Sequence, residues 1–140
     1  MVQTISSFSG DYDFLSLEYP CDIEYEGITF KNAATLLYAL KSDDKGSMRK
    51  YARLSTSKAR QKAAKEINDE YDDNYSDYVY KVCKLKFTQN GGLANKLKET
   101  HPYTLVNMLK YNDTKLGIYM GKGENILGKT LAQIREEIQD

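Results

Sequence analysis

The sequence predicts an α+β fold, mainly helical, with a small β-sheet, in a single compact domain spanning residues 1–140. Three observations predict it. Residues 8–30 carry strand and turn signals, helical apolar stripes dominate residues 32–98, and an amphipathic run follows Asn125. At 140 residues the chain is long enough for one domain with a real core and short for two.

The elements follow in order. Phe14-Leu15 opens a first apolar, strand-like segment that Tyr19-Pro20 ends. Ile23, Tyr25, Ile28 and Phe30 flank Glu26-Gly27, a hairpin signal, with Ile23 and Tyr25 on one face by the period of two. Asn32 is placed to cap a helix running through Lys41, with Ala33, Leu36, Leu37 and Leu40 as its apolar stripe. Asp43 to Gly46 breaks it. Residues 47–67 read as helical and basic, and residues 66–77 as acidic. The two blocks suit a self-compensating solvated surface or a charged partner. Tyr75, Tyr78, Val79, Val82 and Leu85 mark the core face of a helix over 74–87. Asn90-Gly91-Gly92 reads as a turn, 93–98 as a short helix and 103–109 as a strand. Leu127, Leu131, Ile134 and Ile138 line one face of the last helix.

Composition narrows the function classes. Lysine plus arginine and aspartate plus glutamate both number 20, so no net charge draws the chain to nucleic acid or membrane. No apolar run is long enough to span a bilayer and the N-terminus has no signal pattern, which places the protein in the cytoplasm. Cys21 and Cys83 are far apart and share the chain with one histidine, so they read as reduced thiols and not as zinc ligands. Tyrosine is abundant, twelve against four phenylalanines, and serves either a core edge or a nucleobase stack.

Few residues suggest chemistry by themselves. His101 is a loop histidine unless a neighbour and a pocket make it a base. Asp113 suits ribose hydroxyls, water activation or a turn cap. The run Gly121-Lys122-Gly123-Glu124-Asn125-Ile126-Leu127-Gly128-Lys129 lacks the length and ending of a P-loop. A glycine turn that opens a helix directs unpaired N–H groups outward, ready for an anion such as phosphate. A structural turn before the final helix explains the same glycines.

Four motifs in order carry a family resemblance. Phe8 to Ser16, the stretch Ile23 to Phe30, Lys86 to Asn90, and the GxGxNxLG element of Gly121 to Lys129 resemble the NADAR family, the YbiA-like N-glycosidases, over nearly the whole chain. The resemblance implies a compact, mainly helical α+β domain with a site for ADP-ribose-like or other ribosyl ligands. Family members cleave N-glycosidic bonds in riboflavin-pathway intermediates or in ADP-ribose attached to guanine, and the resemblance implies no metal and no redox cofactor. That bond breaks through an oxocarbenium-like state, so a carboxylate near the anomeric carbon and help for the leaving base are required.

The chain departs from the family where those needs are met. Ala34 stands where the family carries a glutamate, and Tyr38 where a glutamine is usual, while Lys41 is retained. Glu70-Tyr71 replaces an Asp-Trp pair. In Asp113 to Gly117 the aspartate and glycine remain but Leu116 replaces a tryptophan. By resemblance the ligand-binding positions are Ser16, Lys41, Tyr71, Asp113, Gly117, Gly121, Gly123 and Asn125, and any relocated acid is Asp113 or Glu124. Three readings stay open: a catalytically impaired protein that binds an ADP-ribose-like ligand, an active N-glycosidase, and a protein-interaction module on the same fold.

Overall fold

The computed structural model describes residues 3–42, 44–108, 115–117 and 123–138. The chain falls into two compact units, one of residues 17–89 and one of residues 1–16 with 90–140.

The first unit begins with a hairpin of β1 (Ile23–Tyr25) and β2 (Ile28–Phe30), antiparallel, with Ile23 opposite Phe30 and Tyr25 opposite Ile28. Ile23, Ile28 and Phe30 are buried while Glu24 and Thr29 face out, the alternation that one covered sheet face demands. The two-residue turn takes positive φ at both positions, Glu26 at 50° and Gly27 at 82°, the backbone twist that a tight hairpin needs. The hairpin's outer edge is not bare. Gln89 lays its side-chain amide along it, accepting from the Glu24 N–H and donating to the Glu24 carbonyl, both at 2.8 Å.

Helix α1 (Ala33–Ala39) is the hub of this unit and packs against α2 (Lys45–Ala52), α3 (Thr56–Ala64) and α5 (Tyr75–Gln89). All its residues except Tyr38 are buried, as expected of a helix that is apolar all round. Asn32 caps it, with Oδ1 accepting from the Thr35 N–H at 2.8 Å and the Thr35 hydroxyl at 2.7 Å. Its Nδ2 donates to Thr56 Oγ1 at 2.9 Å, so one amide fixes the starts of α1 and α3 together.

The basic stretch divides in two. Residues 53–55 break it, and Ser55 restarts α3 by accepting from the Lys58 N–H. A short α4 (Asp69–Asp73) follows, capped by Asn68. The buried face of α5 is Val79, Val82, Cys83, Lys86 and Phe87, with Tyr75, Tyr78 and Leu85 half-buried beside it.

In the second unit β3 (Thr4–Ile5) pairs in parallel with β4 (Thr104–Leu105), about a hundred positions along the chain. Of the expected strand over 103–109, Thr104–Leu105 is strand among the described residues, and Leu109 lies outside them. The expected strand at Phe14-Leu15 is a 3-10 helix, Gly10–Leu15, which buries both side chains on successive positions as a strand with one covered face cannot. Gly91 and Gly92 belong to the first turn of α6 (Gly91–Glu99), not to a separate turn. Helix α7 (Ile126–Glu137) buries Leu127, Leu131 and Ile134 and packs on α6 and β4, while Ile138 lies past its end, half-buried.

Candidate functional site

The glycine-rich run resolves into a clamp at the start of α7. Asn125 takes φ 50°, a left-handed conformation that asparagine tolerates better than most residues. Its side chain makes no capping bond to the helix and lies against Gly128. Oδ1 accepts from the Asn107 N–H at 2.9 Å and Nδ2 donates to the Leu105 carbonyl at 3.1 Å, so the amide closes the outer edge of β4. The backbone N–H groups of Asn125, Ile126 and Leu127 donate to the carbonyls of Gly117, Lys115 and Leu116 at 3.3, 2.9 and 3.0 Å. These are donors that a helix start ordinarily leaves open. The outward-facing N–H cradle expected for an anion is therefore filled at these three positions by the chain's own carbonyls.

Gly128 completes the clamp. A Cβ there would stand 2.3 Å from the Leu105 carbonyl oxygen and 2.5 Å from both amide atoms of Asn125. Only glycine lets α7 approach β4 so closely. Gly123 holds φ 144° and is exposed, as is Glu124. The structure thus gathers Gly117, Gly123, Glu124 and Asn125 about one helix start. Asp113 and Gly121 lie outside the described residues. Ser16 ends the 3-10 helix, where its hydroxyl donates to the Asp13 carbonyl at 2.9 Å.

Lys41 and Tyr71 form a second cluster, in the other unit. Lys41 Nζ donates to the Ala63 carbonyl at 2.9 Å and lies 5.9 Å from the centre of the Tyr71 ring. Tyr71 is buried, stacked on Tyr78 at 5.0 Å and edge-on to Tyr75 at 5.7 Å. Its hydroxyl donates to the Leu37 carbonyl at 3.1 Å, and burial drives the phenol well above its usual range.

Asn68, which the sequence reading passed over, joins the two residues. Its Oδ1 accepts from the Tyr71 N–H and its Nδ2 donates to the Lys41 carbonyl, both at 3.0 Å. A helix-capping asparagine is visible in sequence; its second bond, 27 residues away, is not.

Helix α1 carries no carboxylate, and Ala34 is 1% exposed. Glu66, at the end of the same unit's third helix, is held by others. It accepts from the Tyr51 hydroxyl at 2.8 Å and the Ser42 hydroxyl at 3.2 Å, and pairs with Lys62 at 3.4 Å. Burial first, and this carboxylate second, hold the Tyr51 phenol above its ordinary value. His101 is exposed at the end of α6. Among the described residues no group of three or more His, Cys, Asp or Glu side chains could hold a metal ion, and no helix is long and apolar enough to cross a membrane.

The sequence profile of the NADAR domain matches residues 3–139. This chain belongs to the NADAR family. Its fold is similar to the NMR structure of the Escherichia coli protein YbiA, with a TM-score of 0.85 and 27% identity, covering 99% of this chain and 86% of that one. No curated protein matches it. Within the NADAR fold the clamp of Asn125 and Gly128 acquires a role of its own. Both residues are spent on holding α7 to β4, so the part of the GxGxNxLG element that they supply is a fold element.

Proposed function

We propose that this NADAR-fold chain binds an ADP-ribose-like ribosyl nucleotide in the cytoplasm, as a single working domain, and does not hydrolyse it. The observation that carries the reading is Ala34. It occupies the family's glutamate position on a buried helix that offers no other acid. Alanine neither stabilises a developing oxocarbenium charge nor moves a proton, and loss of such a group removes about 10²–10⁴-fold of rate. Lys41, half-buried, supports a surviving binding role: its ammonium has donors beyond the one given to the Ala63 carbonyl, which suit a phosphorylated ligand, while the buried Tyr71 ring backs it. By the family resemblance Ser16, Tyr71, Asp113, Gly117, Gly121 and Gly123 are further candidate ligand-binding positions. Asn125 serves ligand binding through the backbone that it holds, because its amide is already occupied.

Calorimetric titration with ADP-ribose and with riboflavin-pathway intermediates tests binding, and product analysis on ADP-ribosylated guanosine tests turnover. Heat with ADP-ribose and no released base is the expected pair of results. Base release that disappears in Asp113→Ala or Glu124→Ala would establish an active N-glycosidase with a relocated acid. Absence of both heat and thermal shift would leave the fold as a protein-interaction module.

A further inference from the structure

Lys41 directly follows Leu40, the C-cap of α1, and the chain holds it at both ends. Its ammonium donates to the Ala63 carbonyl at 2.9 Å, and its own carbonyl accepts from Asn68 Nδ2 at 3.0 Å. Beside it the Ser42 hydroxyl donates to Glu66 Oε2 at 3.2 Å. Three side-chain bonds thus tie positions 41 and 42 to the segment 63–68, which joins α3 to α4. A lysine stem has more rotamer freedom to lose than most side chains. At position 41 the fold has already spent that freedom, with no ligand needed to order the stem.

Asn68 has one possible orientation in this arrangement. The Tyr71 N–H can only donate and the Lys41 carbonyl can only accept, so Oδ1 must serve the first and Nδ2 the second. The two arms have separate consequences. The bond at Oδ1 caps α4, which aspartate or serine would do as well. The bond at Nδ2 reaches back 27 positions, and no cap requires it. Among Asn, Asp, Ser and Thr, only asparagine has an amide that accepts at one atom and donates at another.

We infer that Asn68 is a positioning residue for ligand capture by Lys41. The inference rests on the nucleotide-binding reading of Lys41 given above. The Asn68 bond fixes where the lysine leaves the end of α1, and the Ala63 bond fixes where its ammonium comes to rest. The remaining donors of the ammonium then keep one bearing for a phosphate oxygen. Without the Nδ2 bond the turn after α1 relaxes, and the ligand must supply the order that the fold now supplies.

The test titrates the full chain and its Asn68→Ser variant with ADP-ribose by calorimetry. Serine keeps the cap on α4 and is too short to reach Lys41. Affinity should fall about fivefold, the scale of one hydrogen bond, while Tm moves by only a few degrees. Asn68→Asp, which keeps the cap and turns an oxygen toward the Lys41 carbonyl, should weaken binding at least as much. In a Lys41→Met background Asn68→Ser should change the affinity no further, because the amide acts through the lysine. Additive losses would overturn the proposal, as would an Asn68→Ser protein that binds like the original. A readout without ligand separates this inference from the nucleotide reading. In lysine-labelled protein the Lys41 ¹³Cε and ¹⁵Nζ signals should move toward those of the exposed lysines on Asn68→Ser. Such a shift with no ADP-ribose heat in the original protein would uphold the positioning and discard the ligand. An unmoved signal would discard the positioning whatever the ligand does.

Discussion

The start of α7 and the middle of α1 both lie in segments that resemble the NADAR pattern, yet they have fared differently. At α7 the Asn125 amide and the missing side chain of Gly128 are consumed by the fold, through Leu105 and Asn107. At α1 the cap and the apolar packing hold the helix, and position 34, where the resemblance leads one to expect a glutamate, is a buried alanine. A residue whose polar groups hold backbone cannot be exchanged without loss of stability. A buried position whose side chain makes no hydrogen bond, such as Ala34, carries no such constraint.

The clamp should break most severely at Gly128. Gly128→Ala forces a methyl group onto a carbonyl oxygen, and a loss of about 3 kcal/mol or more is expected in urea unfolding. Asn125→Ala strands the Asn107 N–H and the Leu105 carbonyl, for an expected loss of about 2–3 kcal/mol. Asn125→Gly frees the backbone strain without restoring those bonds, so it should recover only part of that loss. If Asn125→Ala left the urea midpoint unchanged, the amide would have to be free for a ligand.

Position 34 gives the opposite probe. Ala34→Glu places a carboxylate in a buried site and should cost about 2 kcal/mol at neutral pH. Burial raises its folded pKa above the unfolded value of about 4.3, so the native state keeps the proton longer. The penalty is therefore smallest in acid and grows as pH rises through the unfolded value, levelling off above the folded one. A flat difference in Tm between the two proteins across pH 4–8 would show that the site admits water, and would reopen position 34 to chemistry.

The thiols supply the smallest effect. Burial pushes Cys83 up from 9.0 to about 12, with Lys86 opposing in part. Cys21, half-buried, is raised as well, again chiefly by burial. Native protein at pH 8 should leave Cys83 unmodified by a thiol reagent and Cys21 slow to react, with both labelled at once after unfolding. Above pH 9 the unfolded chain gives up its Cys83 proton while the folded chain keeps it, so stability declines towards pH 12.

Local chemistry was legible in the sequence. Glu26-Gly27 announced the hairpin, Asn32 announced α1, and the α7 stripe fell where its period placed it as far as Ile134, whereas in α5 only Val79 and Val82 of the expected stripe are buried and Cys83, Lys86 and Phe87 complete the face. Bonds that leap along the chain were not legible. Strand β3 is two residues long and draws its whole meaning from Thr104 and Leu105. The break at residues 53–55 escaped notice because basic residues continue across it and Ser55 is a modest signal. At the candidate site the family motifs pointed to Asn125, but what its amide does depends on partners 18 and 20 positions away. Periodicity carries no information at that range.

Gln89 shows what a borrowed amide entails. Because it stands in for a missing strand along the hairpin, the hairpin's resistance to stacking with its own copies hangs on one side chain. Deamidation of Gln89 to glutamate would remove the donor to the Glu24 carbonyl and set a second negative charge beside Glu24. A glutamate there would still accept from the Glu24 N–H, so the edge would lose one bond of two while like charge between copies opposes their pairing.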